Sequence, residues 1–130
     1  MIKASRNQLF NVHNDAQGDT KKVLTVCSAG MLRSATLQNL LIQEYGYNVR
    51  SCGTVEAYAL IPISEALIEW ADEIVFVSKE NYKSVEADLI DINPAILDKC
   101  IVLDIPDIYA FNDPKLIDIC REQYNKKTSK

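Results

Sequence analysis

Short apolar runs and helix-spaced segments alternate four times along this chain, and that alternation restricts its fold more than any other feature. Val23 to Cys27 is rich in β-branched residues and reads as a buried strand. Ser34 to Tyr45 follows with Leu37, Leu40 and Leu41 at helical spacing, and Gly46 is placed to stop that helix. Tyr47 to Cys52 alternates as a second strand. Pro62 and Ser64 then open a helix carrying Leu67, Ile68 and Trp70, whose apolar face predicts a core position for Trp70. Ile74 to Val77 is a third, fully apolar strand, and Lys79 to Ile90 is a weaker helical pattern broken by Asn93-Pro94. Cys100 to Leu103 reads as a fourth short strand and Pro114 to Tyr124 as a final helix. The expected class is therefore α/β: a parallel sheet covered by helices on both faces. Ligands of such sheets bind beyond the carboxyl ends of the strands, where Cys27 and the segment after Leu103 lie.

Between the first strand and the first helix stands Val26-Cys27-Ser28-Ala29-Gly30-Met31-Leu32-Arg33-Ser34. A cysteine attacks as its thiolate, and a helix N-terminus together with a guanidinium supplies the positive potential that favours this form. If β-structure ends at Cys27 and a helix opens at Arg33, the backbone N–H groups of Ser28, Ala29, Gly30, Met31, Leu32 and Arg33 can curl around an anion. The same ring of donors suits a phosphate dianion. Arg33 can grip two phosphate oxygens at once, Gly30 permits a tight backbone turn, and Ser34 can donate its hydroxyl to the thiolate. By composition alone, a cysteine meets arginine at plus six and a hydroxyl residue at plus seven only about once in a hundred cases.

The length of 130 residues fits one domain with a real core. Residues 1–20 are polar with little periodicity and are expected to form an arm ahead of an α/β domain over 21–130. His13, the one histidine, reads as a solvated surface residue. Four cysteines, Cys27, Cys52, Cys100 and Cys120, are widely spaced with no CxxC pair, so neither a metal site nor a disulfide framework is expected. No cofactor is called for. The absence of a secretory pattern and of a long apolar run predicts a cytoplasmic protein with no membrane span. A net charge of −4 disfavours broad binding to nucleic acid or membrane surfaces, yet leaves room for one small positive pocket.

The nucleophile segment, Ser51-Cys52-Gly53-Thr54, Glu69-Trp70-Ala71-Asp72, and Val102 through Tyr109 with Asp113-Pro114 together resemble the low-molecular-weight protein tyrosine phosphatases. The likeness is closer still to a small bacterial and phage branch of that superfamily. It implies a sheet of order 2-1-3-4 and a two-step phosphatase mechanism that needs no metal. It also implies Cys27 as nucleophile, Arg33 as phosphate ligand and Asp107 as general acid, with Asp104 and Asp113 as rival carboxylates. Tyr58 and Tyr109 become candidate walls around an aryl phosphate. The chain departs from the family at Gly30, where asparagine is common, at Ile108, where proline follows the acid, and at Leu32, where many relatives carry a second cysteine. Cys52 is either a substitute for that cysteine or an inert buried thiol. The expected substrate is a phosphomonoester, with protein phosphotyrosine first and a phosphorylated nucleotide or RNA end left open. Two other functions fit less of the pattern: a phosphate-binding interaction module on a degenerate phosphatase scaffold, and an arsenate reductase. Oligomeric state is not legible.

Overall fold

In the computed structural model, which describes residues 20–28, 32–55, 57 and 59–128, the four expected strands are β1 (Lys22–Cys27), β2 (Asn48–Gly53), β3 (Glu73–Phe76) and β4 (Cys100–Val102). All pairings are parallel and the order is β2-β1-β3-β4, as the resemblance implied. Successive residues of a strand point to opposite faces, so each strand feeds two cores. Leu24, Val26, Cys52, Ile74 and Phe76 face one side, beneath helices α2 (Glu65–Trp70) and α3 (Lys79–Ile92) and a 3-10 turn (Pro94–Lys99). Val23, Cys27, Val49 and Val75 face the other, beneath α1 (Arg33–Tyr45) and α4 (Pro114–Thr128). The expected arm up to Thr20 lies, apart from Thr20 itself, outside the described residues.

Local chemistry sets the boundaries. Gly46 ends α1 at φ 68, a left-handed conformation that favours glycine, and its N–H reaches the Ile42 carbonyl at 3.0 Å. Ser64 caps α2 through its hydroxyl, so the helix starts after it; Pro62 instead bridges to Gly53 and belongs to the approach. Ser78 caps α3, and the weak pattern over 79–90 is a full helix to Ile92. Trp70 is the last residue of the short α2, and its ring is half-buried against the core rather than within it.

At the start of β3, the Glu73 carboxylate accepts hydrogen bonds from the Tyr124 hydroxyl and the Lys21 ammonium, both at 2.6 Å. Burial, reinforced by Glu73, raises the Tyr124 phenol above its ordinary value. Burial also pushes the Cys120 thiol from 9.0 up to about 12 and the Cys100 thiol up to about 11. The unfolded chain releases these protons earlier than the native one does. Stability is therefore complete below about pH 9 and falls as the pH rises toward the native values, at roughly 1.4 kcal/mol per pH unit for Cys120. Urea midpoints measured from pH 8 to 11 are expected to decline steadily, with a shallower decline in Cys120→Ala; a flat wild-type profile would contradict this.

Candidate active site

β1 delivers Cys27 to the carboxyl edge of the sheet, and after five intervening residues α1 begins at Arg33. The Cys27 Sγ lies 3.0 Å from the Ser34 Oγ, in a buried pair. Ser34 is itself held from below: Thr25 donates its hydroxyl to the Ser34 carbonyl at 2.9 Å. The Ser51 hydroxyl lies 3.1 Å from the same carbonyl and 2.8 Å from the Gln38 Oε1. No side chain caps α1 and no acidic residue stands in its first turn, whereas serines cap α2 and α3. The positive end of α1 is thus left for an anion in front of Cys27. Ala29, Gly30 and Met31, the expected centre of the phosphate loop, lie outside the described residues; Ser28 and Leu32 flank them.

The start of that loop is pinned by its neighbours. The Thr54 N–H donates to the Cys27 carbonyl at 2.9 Å and the Val55 N–H to the Ser28 carbonyl at 3.0 Å. Asn81, buried on α3, donates its amide to the hydroxyls of Ser28 and Thr54, each at 3.2 Å, while its own Oδ1 accepts from Ser78 at 2.7 Å. Asn81 was not singled out from the sequence. Its signal was the Ser78-x-x-Asn81 spacing of a capped helix start, in a segment whose apolar pattern is faint.

Past β4 the chain continues alongside β3: the Leu103 N–H reaches the Phe76 carbonyl at 2.8 Å and the Ile105 N–H the Val77 carbonyl at 2.9 Å. The buried Arg33 donates Nη1 to the Ile105 carbonyl at 2.9 Å, and its Nε stands 3.7 Å from the Asp107 Oδ1. One cleft of about 600 Å³ collects Ser28, Arg33, Asp104 and Asp107. The three rival carboxylates separate here. Asp113 is spent as the cap of α4, accepting from the Lys115 N–H at 2.9 Å. Asp104 borders the cleft with its backbone clamped by Gln123. Asp107, with its side chain 64% exposed, alone forms an ion pair with Arg33 among the described residues.

Tyr109 packs half-buried against the core of the Cys27 face and does not line the cleft, and Tyr58 lies outside the described residues. The sequence reading missed a different apolar rim. Leu32, Leu60, Ile61, Ile108 and Phe111 are exposed, all on segments at the carboxyl end of the sheet. Among the described residues no group of three His, Cys, Asp or Glu is placed to hold a metal ion.

No protein-family model and no curated sequence matches the chain. Solved structures do. A low-molecular-weight protein tyrosine phosphatase from Streptococcus pyogenes superposes with a TM-score of 0.63 at 15% identity, covering 85% of this chain and 95% of that one. Wzb from Vibrio vulnificus, in complex with benzylphosphonate, gives 0.62 at 20%, covering 83% and 99%. The YwlE arginine phosphatase from Geobacillus stearothermophilus gives 0.59 at 16%, covering 79% and 85%. At these identities the likeness establishes the fold.

Proposed function

From the fold of the low-molecular-weight protein tyrosine phosphatases, we propose that the chain is a cysteine phosphatase that hydrolyses phosphomonoesters through a phosphocysteine, with protein phosphotyrosine as its substrate. The observation that carries this is that Arg33, at the start of the helix that follows Cys27, meets at one cleft Asp107 from the distant loop after β4. The Cys27 thiol is backed by Ser34, and the buried Arg33, the residue before Ser34, is hydrogen-bonded to the loop that bears Asp107.

Each group then has a task. The Cys27 sulfur attacks phosphorus while the bond to the leaving oxygen breaks and Asp107 gives that oxygen its proton. Arg33 and the amino end of α1 hold the equatorial oxygens as charge develops on them. Water next attacks phosphorus, Asp107 takes its proton, and the P–S bond breaks with its electron pair returning to sulfur, where the Ser34 hydroxyl donates to it. No step calls on a metal ion. The exposed apolar rim suits the ring of an aryl phosphate. The absence of a disulfide among the four cysteines suits the reducing cytoplasm in which we place the protein.

Arsenate reduction would require further thiols near Cys27. Cys52 pairs with Val26 and faces the opposite core, Cys100 opens β4 at the other end of the sheet, and Cys120, on the Cys27 face, is a fully buried thiol that burial holds protonated. A binding module would have no use for a carboxylate facing the arginine.

Turnover of p-nitrophenyl phosphate in the presence of a chelator tests the reading. Asp107→Asn is expected to lose about 10²-fold in kcat on this substrate and more, up to about 10⁴-fold, on phenyl phosphate, whose leaving oxygen depends on a proton. Equal losses on the two substrates would remove Asp107 from the acid role. Parallel assays on phosphotyrosine and phosphoarginine peptides decide the leaving group.

A further inference from the structure

Where the sheet ends at β4, a second depression of about 770 Å³ opens between α3 and α4. It shares Lys79, Lys83 and Asp104 with the phosphate cleft, so the two are continuous. Lys126 and Lys127 of α4 complete its cationic lining, against the single carboxylate of Asp104. None of the four lysines forms an ion pair among the described residues.

Lys126 and Lys127 stand in the last turn of α4, where the helix dipole favours a cation, but on α3 the clustering works against the local physics of the helix. Lys79 is the first residue of α3, where the helix dipole disfavours a cation, and Lys83 repels it one turn later. It also runs against the chain as a whole, which carries 18 acidic and 14 basic residues. Four unpartnered ammonium groups beside a phosphate cleft make a local field that an anionic ligand satisfies.

We propose that this groove is a substrate subsite for aspartate and glutamate side chains clustered on one side of the phosphorylated residue, making the enzyme selective for acidic phosphopeptides. The proposal rests on the phosphatase reading above. A peptide fits the observations better than a nucleic acid. The groove's one aromatic residue, Tyr82, has its ring set edge-on against Phe76 with centroids 5.3 Å apart, and its hydroxyl hydrogen-bonds with Glu86. It therefore offers no free stacking platform for bases. The acidic remainder of the surface repels a long polyanion. Gln123 also occupies both backbone groups of Asp104, at 2.7 Å each, so recognition there runs through side-chain charge and not through an added strand.

The test uses phosphotyrosine peptides of equal length with four glutamates before the phosphotyrosine, four after it, or glutamines in both places, and a 5′-phosphorylated oligonucleotide. With p-nitrophenyl phosphate as the measure of intact chemistry, one acidic peptide is expected to exceed the neutral one about tenfold in kcat/KM, chiefly through KM. That ratio should fall toward one at 0.5 M salt and in Lys126→Gln/Lys127→Gln. A wild-type ratio near one, with p-nitrophenyl phosphate still turned over, would overturn the subsite alone. Preference for the oligonucleotide would overturn the peptide assignment. Failure to hydrolyse p-nitrophenyl phosphate at all would remove the phosphatase reading and the subsite with it.

Discussion

Cys27→Ser is expected to lower turnover of p-nitrophenyl phosphate by at least about 10³-fold while the protein stays folded and still binds inorganic phosphate. Serine is nearly isosteric, and Cys27 lies 3% exposed at the end of a strand whose backbone bonds do not depend on the side chain. What changes is the nucleophile: a hydroxyl is a far weaker attacker than a thiolate, and the neighbouring Ser34 offers it only another hydroxyl. In the proposed mechanism phosphate is held by the amino end of α1 and by Arg33, which remain. Calorimetric titration with phosphate, thermal unfolding and steady-state turnover together separate these effects. Turnover near the wild-type rate in the serine variant would rule out covalent catalysis at Cys27.

The second large effect is expected at Arg33. Arg33→Lys should lose about 10³-fold in kcat/KM, because lysine offers a point charge where the site uses a planar fork. The arginine joins two functions, with Nη1 on the Ile105 carbonyl at 2.9 Å and Nε facing Asp107 at 3.7 Å. Losing the first bond leaves a buried carbonyl without its partner, at a cost of about 1–3 kcal/mol in stability. A small drop in the unfolding midpoint should therefore accompany the kinetic loss, and phosphate affinity should fall with it. If lysine restores both affinity and turnover, the guanidinium's geometry is not what the site uses.

The alternation of β-branched runs and leucine-spaced segments was enough to read the sheet class, because a strand buried on both faces leaves an unbroken apolar run such as Ile74 to Val77. Gly46 and Asp113 announced their helix ends for equally local reasons. Residues acting across the sheet were harder to read. Thr25 and Ser51 come together beneath Ser34 only because β1 and β2 pair in register, and neither has a neighbour in sequence that suggests it. Arg33 stood out in the sequence as a candidate phosphate ligand, but its bond to Ile105 spans 72 positions. Tyr109 followed the acid closely enough to suggest a wall. It packs inward because the apolar cluster of the Cys27 face accepts its ring, and the exposed rim falls instead to four aliphatic residues and Phe111.

The placement of the cysteines on the sheet has a consequence for life under oxidants. Cys27 and Cys52 sit at adjacent levels of neighbouring strands, yet their side chains enter opposite cores, and Leu32 fills the place where a second loop thiol would stand. The other thiols, Cys52, Cys100 and Cys120, are all held protonated by burial, so each is slow to trap as a disulfide a sulfenic acid formed on Cys27 by peroxide. Its rescue would fall to small thiols diffusing into the cleft, in competition with further oxidation to the irreversible sulfinic acid. The lifetime of a thiol placed in this way is then set, during oxidative stress, by the glutathione-like pool around it.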